Sequence, residues 1–199
     1  MQNQNLKLLF IVNPASGNKN INFIEEINAF FKERKESAEV FELPKDCDIA
    51  KIKQAIKKAK ADRVIAVGGD GTLKLVAECL LQQDTPIGII AAGSANGMAK
   101  ELGIPLDVKE ALALTVEGKP HQIHAVMVNN ELCIHLADIG FNAYIIKKFD
   151  ELPNRGMLTY AKAAWQAFWN HSKMEVSFKI DGQTIAHEAA MVGIANATK

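Results

Sequence analysis

The chain of 199 residues has no excess of charge of either sign, since Lys plus Arg and Asp plus Glu stand at 23 each. With no net field, nothing draws the whole molecule to nucleic acid or to an anionic membrane, and any charged partner must be met locally. Long apolar runs are missing too. Leu8 to Val12 and Ile87 to Ala92 fall far short of the ~20 residues that cross a bilayer, and the polar start MQNQN is no signal peptide. These absences point to a cytoplasmic protein. Cysteine is scarce: Cys47, Cys79 and Cys133 are odd in number and widely separated. That excludes a disulfide framework and a zinc spacing, and leaves three small buried hydrophobes. His121, His124, His135, His171 and His187 show no metal-ligand spacing, and none stands with a Cys or Ser in a nucleophile arrangement. What is present, 48% hydrophobic and 23% charged residues, is the make-up of an ordinary globular chain of one large or two small domains.

Apolar Leu6 to Val12 reads as a strand running into the turn formers Asn13-Pro14-Ala15-Ser16-Gly17. Phe23, Ile24, Ile27, Phe30 and Phe31 then recur at helical spacing. Val40 to Leu43 predicts a second strand, and Ile49, Ile52, Ile56 and Ala59 a second helix that Asp46 or Asp48 can cap. Lys57, Lys58 and Lys60 fall on that helix, away from its apolar face, and read as a solvated surface. Val64 to Val67 is a third strand. It enters Gly68-Gly69-Asp70-Gly71-Thr72, followed by the helical face Leu73, Val76, Ala77, Leu80 and Leu81. Pro86 to Ala92 repeats the grammar, leading into Gly93-Ser94-Ala95-Asn96-Gly97 and a helix through Ala99 and Leu102. Such alternation predicts an α/β fold, with a mostly parallel Rossmann-like sheet covered by helices on both faces.

Near Pro120 the grammar changes. Asn129-Asn130 and Asp181-Gly182, each between short apolar runs, signal two hairpins. The expectation is an α/β domain over 1–120 and a β-rich region over 121–199. Tyr160, Ala164, Trp165, Phe168 and Trp169 form an aromatic helical stripe between the hairpins. Core packing explains it better than membrane contact, because only Lys162, His171 and Lys173 stand by to engage head groups.

Three glycine-bearing loops thus stand at the carboxyl ends of three parallel strands, where open α/β sheets bind ligands. Gly17, Gly68, Gly69, Gly71 and Gly93 let the backbone approach a phosphate, and each following helix offers N–H groups and the positive end of its dipole. Thr72, Ser94 and Asn96 add side-chain donors. Asp70 is out of keeping with an anion site unless it holds a magnesium ion, accepts the proton of an attacking hydroxyl, or caps the helix expected from Thr72. Chance alone would place a given pentapeptide such as GGDGT in a chain of this length with a frequency on the order of 10⁻⁴.

IVNPASG at 11–17, VGGDGT at 67–72 and GSANGMAKELGIP at 93–105 resemble, in order, the three motifs of the diacylglycerol kinase catalytic-domain superfamily. That superfamily takes in bacterial lipid kinases, diacylglycerol kinases, sphingosine kinases and ceramide kinases. Ile139-Gly140-Phe141-Asn142-Ala143, Arg155-Gly156 and Tyr160 resemble the start of its β-rich second domain. The third motif departs from the usual P-x-G-T-x-N-D pattern: Ala91 stands for the proline, Ser94 for the threonine and Gly97 for the aspartate. A threonine usual after the second strand is absent near Leu43-Pro44-Lys45.

The resemblance implies ATP bound between an α/β domain and a sandwich-type domain, and transfer of its γ-phosphoryl group to a lipid hydroxyl. Asn13, Pro14, Ser16, Gly17, Gly68 to Thr72, Gly93, Ser94, Asn96 and Arg155 would surround ATP, with Asp70 as magnesium ligand or base. It further implies peripheral contact with a membrane surface. Family members run on through a glycine-rich segment and a later acidic motif. The expectation is therefore an incomplete second domain whose last strand, Ala189 to Ala195, exposes an edge open to homodimerisation. An NAD kinase, which shares the GGDGT loop, and a non-catalytic nucleotide-binding module are the alternatives.

Overall fold

A computed structural model describes residues 6–17, 21–32, 34–46, 49–140 and 173–196. Its centre is a parallel four-stranded sheet in the order β2-β1-β3-β4, formed by β1 (Lys7–Val12), β2 (Ser37–Glu42), β3 (Arg63–Gly68) and β4 (Ile87–Ala91). The strand period of two sorts β1 cleanly between two cores. Leu8, Phe10 and Val12 point to one face, where Ile65, Val67, Ile90 and Ala92 join them. Leu9 and Ile11 point to the other, beside Val64 and Ala66. Strands covered on both faces need no polar alternation, which is why β1 and β3 read as unbroken apolar runs. β2 is an edge strand with exposed Ser37 and Glu39, and it begins earlier than its apolar residues alone suggest.

Helices α1 (Phe23–Phe31) and α5 (Val108–Glu117) cover the first face, and α2 (Ile49–Ala59) and α3 (Asp70–Leu80) the second. Asn22 caps α1 by accepting from the Glu25 N–H at 3.3 Å. Phe23, Ile27 and Phe31 bury one stripe of that helix, and Phe31 meets Phe10 edge-on with ring centroids 5.6 Å apart. Helix α5 lies outside the elements expected from apolar spacing above. Its signals are nonetheless present: the Asp107 carboxylate accepts from the Lys109 and Glu110 N–H groups at 3.0 Å each, and Ala111, Leu112, Thr115 and Val116 form the buried stripe. The short α4 (Gly97–Glu101) follows β4.

The hairpin of β5 (Val126–Val128) and β6 (Glu131–Cys133) turns on Asn129 and Asn130, both at positive φ (49° and 67°). That is the mirror-image turn whose twist suits paired strands, and Asn tolerates it better than most residues. Leu132 and Ile134 enter the core shared with Leu73, Val76 and Leu80 of α3. Lys74 of α3 is bonded to Glu131 at 3.0 Å and Glu78 at 3.2 Å. These partners, Glu131 first, hold the Lys74 ammonium above its ordinary range.

The first compact unit of the chain therefore runs through Ile134, and a second begins at His135. The second unit contains β7 (Leu136–Gly140), β8 (Met174–Ile180), β9 (Gln183–Ala189) and β10 (Met191–Ala195). β8 and β9 join through Asp181 and Gly182, again both at positive φ (49° and 79°). β10 pairs antiparallel with β7, and among the described residues no strand lies along its other side. The aromatic stripe from Tyr160 to Trp169 lies outside the described residues, as does Cys47. Cys79 and Cys133 are buried. Among the described residues no helix is long and apolar enough to cross a membrane.

Leu112 is fully buried and Leu114, on the same helix, is 39% exposed. Leu112→Ala is expected to lower the unfolding free energy by about 3 kcal/mol, and Leu114→Ala by about 1 kcal/mol or less. Denaturant titration of the two variants checks that α5 packs by the stripe described.

Candidate functional site

With the order β2-β1-β3-β4, the chain leaves β1 toward one edge and returns to β3 on the other side of it. Such a reversal opens a crevice at the carboxyl ends of the two central strands. The loops after β1, β3 and β4 all stand at this end, and the structure brings them together.

The first loop is tied to the second. The Asn13 N–H still donates to the Val67 carbonyl at 3.0 Å, as if the ladder ran one residue further. Its side-chain oxygen accepts from the Ala15 N–H at 3.0 Å, shaping the turn. Its Nδ2 donates to Thr72 Oγ1 at 3.1 Å. Thr72 is only 3% exposed, and its side chain lies where a Cβ on Gly68 would stand. Gly68 is thus required by close approach.

The second loop touches the third backbone to backbone. A Cβ on Gly93 would stand 2.5 Å from the Gly69 Cα, closer than real contacts allow. Asn96, at φ 51°, closes the third loop on itself by accepting from the Gly93 N–H at 2.9 Å and donating to the Gly93 carbonyl at 2.7 Å. First and third loops meet where a Cβ on Gly17 would lie 3.1 Å from Ser94 Oγ.

Asp70 does something the sequence did not foretell. The third helix starts at Asp70 itself, so this residue lies inside the first turn and does not precede a helix beginning at Thr72. Its carboxylate reaches across to α4, where Oδ2 accepts from the Gly97 N–H at 2.9 Å and Oδ1 from the Met98 N–H at 3.0 Å. The reason is local. Asn96 is left-handed and spends its side chain on Gly93, so it cannot cap α4, and the orphaned N–H groups take a carboxylate from elsewhere. Each carboxylate oxygen keeps a further lone-pair direction.

The arrangement separates scaffold from reach. Asn13, Thr72 and Asn96 have their side chains committed to the loops, whereas Ser94, Gly17 and Gly71 are exposed and Ser16 is half-buried. Nothing lies within 4 Å of a Cβ built on Gly71, and, with the Thr72 and Leu73 N–H groups donating to the Gly69 carbonyl at 3.0 and 3.1 Å, the Asp70 and Gly71 N–H groups are the orphan donors of α3. Beside the first loop is a hollow of about 550 Å³ lined by Asn13, Pro14, Ser16, Asn22, Phe23 and Glu42. Asn22 and Glu42 carry no motif signal, because only the fold brings the ends of β1 and β2 to the start of α1. Arg155 lies outside the described residues.

Residues 7–128 match the family described as the diacylglycerol kinase catalytic domain. The chain belongs to this family. The Synechocystis sp. protein "Uncharacterized protein sll0036" is 33% identical over 202 residues, which cover 94% of the chain and 46% of that protein. "Probable lipid kinase YegS" of Escherichia fergusonii is 35% identical over 109 residues, covering 52% of the chain and 36% of that protein. A solved diacylglycerol kinase from Bacillus anthracis str. Sterne superposes with a TM-score of 0.62 at 23% identity, over 97% of this chain and 65% of that one, and so shares the fold. The chain spans less than half the length of these two curated relatives.

Two glycines of the family's GGDGT loop make opposite demands. Gly68→Ala drives a methyl into buried Thr72 and is expected to cost more than about 2 kcal/mol. Gly71→Ala meets open space in a helical turn and should be neutral or stabilising by up to about 1 kcal/mol. Thermal or denaturant unfolding of both variants tests the distinction.

Proposed function

We propose that this chain binds ATP at the three joined loops and belongs to a lipid kinase that moves the γ-phosphoryl group of ATP onto a lipid hydroxyl. The observation that carries the reading is the closure of the loops after β1, β3 and β4 around a single carboxylate, Asp70. The Asp70 and Gly71 N–H groups at the start of α3, with Ser16 and Ser94, supply donors for phosphate oxygens. The hollow beside Pro14 offers room of the right order for a nucleoside. In the transfer, the lipid hydroxyl oxygen bonds to the γ-phosphorus, the bond from that phosphorus to the β–γ bridging oxygen breaks, and ADP departs with the electron pair.

Asp70 serves either as acceptor of the hydroxyl proton or as a magnesium ligand. Among the described residues no group of three His, Cys, Asp or Glu side chains could hold a metal ion, and Gly97 supplies no second carboxylate beside Asp70. The donor set therefore fits magnesium only in its usual nucleotide form, with one protein carboxylate and the remaining oxygens from phosphates and water. When bound, the ion neutralises charge on those phosphates. A cytoplasmic location and peripheral contact with the membrane follow from this reading. A nucleotide-binding chain without turnover of its own is the second reading.

One preparation decides between them: calorimetric titration with ATP and magnesium, and transfer of labelled phosphate to diacylglycerol, another glycerolipid and a sphingoid base. Binding with transfer supports the kinase, binding without transfer supports the second reading, and no binding defeats both. Asp70→Asn, which keeps one carbonyl acceptor for α4, is expected to leave the fold in place and reduce transfer by about 10²- to 10⁴-fold. Unchanged transfer would reduce Asp70 to a cap.

A further inference from the structure

Although the chain is neutral as a whole, α2 is not. Between Ile49 and Ala61 stand Lys51, Lys53, Lys57, Lys58 and Lys60, with no acidic residue among them. All five are exposed. Ile52, Ile56 and Ala59 are the buried stripe, so the lysines fan out over the rest of the helix surface. No carboxylate lies within salt-bridge distance of any of them among the described residues. Asp62, next in the chain, is bonded to the Lys7 N–H at 2.8 Å.

The helix dipole favours Lys57 and Lys58 in the last turn. It does not favour Lys51 and Lys53, which sit near the amino end, where a cation is opposed. The other helices lack this pattern. α1 carries Glu25 and Glu26 in its first turn, and α3 pairs Lys74 with Glu78. Four lysines on α2 and Lys60 just after it, mutually repelling and without an ion-pair partner among the described residues, gain most from an extended anionic surface.

A second feature lies beside them. Lys53, Lys57 and Lys60 line a groove of about 700 Å³ between α2 and the end of α3, and Leu81 lines the same groove. Leu81 is 51% exposed. Glu78 also borders the groove, but it is engaged by Lys74. An exposed leucine that shares a groove with three lysines on flexible stems suits the boundary between head groups and acyl chains.

We propose that the lysine face of α2, with Leu81, is a docking surface for an anionic lipid bilayer. The residue types favour this partner over nucleic acid. The face has no arginine for bidentate phosphate contacts and no aromatic ring for base stacking, and lysines act as diffuse point charges. Its biological role rests on the proposed kinase. α2 and α3 both start at the end of the sheet that bears the three loops, and the groove of Lys53, Lys57, Lys60 and Leu81 lies toward their far ends, so the docking face is separate from the site.

The test is co-sedimentation of the full chain with vesicles of phosphatidylcholine alone and of phosphatidylcholine with about 30 mol% phosphatidylglycerol, without nucleotide. Binding should need the anionic lipid and should fall steeply between about 0.05 M and about 0.5 M salt. Lys53→Gln/Lys57→Gln/Lys60→Gln should weaken it by roughly a hundredfold, about fivefold per lysine. The control Lys32→Gln/Lys35→Gln/Lys109→Gln, which neutralises exposed lysines outside α2 and its groove, should leave it within about twofold. Equal loss in both variants, no binding to anionic vesicles, or tighter binding to single-stranded RNA than to vesicles would overturn the proposal. Transfer to a short-chain, water-soluble lipid should be the same in wild type and the α2 variant. That assay reports on the kinase reading separately, so the two can fail independently.

Discussion

Two backbone N–H groups and one carboxylate hold the mouth of the sheet together. The bonds from Gly97 and Met98 to Asp70 fix the start of α4 against the start of α3, although 27 residues separate the partners. The contact depends on Gly93, where a Cβ would stand 2.5 Å from the Gly69 Cα, and the fit is tight at Gly69, where one would lie 3.2 Å from the Gly93 Cα. Loop one joins through Asn13 and Thr72. Each link depends on the others. If Gly93 were displaced, Asp70 would lose its partners, and α4 would be left with uncapped N–H groups that its own Asn96 cannot serve.

Much of this was legible in the sequence, for identifiable reasons. The apolar runs of β1 and β3 announced strands buried on both faces, and the cores on either side bear that out. Asn129-Asn130 and Asp181-Gly182 announced hairpins because turn chemistry is local, and all four residues have positive φ. The glycine loops announced a common crevice because β-strand, turn and helix recur in one order. The extent of the first unit was less legible. Leu132 and Ile134 join the core beneath α3 through contacts distant in sequence.

What stayed hidden was the destination of side chains. Asp70 precedes a good helical face and looks like its cap, but the carboxylate serves another helix, and nothing at positions 68–72 says so. Asn96 looks like a donor for a ligand, yet both ends of its amide are spent on Gly93. A polar residue in a motif can recognise a ligand or shape the loop that does so, and only the hydrogen-bond partners separate the two. By that criterion Asn13, Thr72 and Asn96 each shape the loops, and each keeps a further hydrogen-bonding position on the same side chain.

Charge shows the same gap between a sum and its arrangement. Equal totals of acid and base argue against a global pull toward any polyanion, and that argument holds for the molecule seen from beyond a Debye length of about 8–10 Å. Closer in, the distribution governs. Acidic residues are placed where they have structural work, as with Asp62 on Lys7, Asp107 on α5 and Asp70 on α4, and each such bond is made within the fold. The lysines of α2 have no ion-pair partner among the described residues. A chain that is neutral in total can still gather like charges in one place, and in this fold the lysines collect on α2 and just after it.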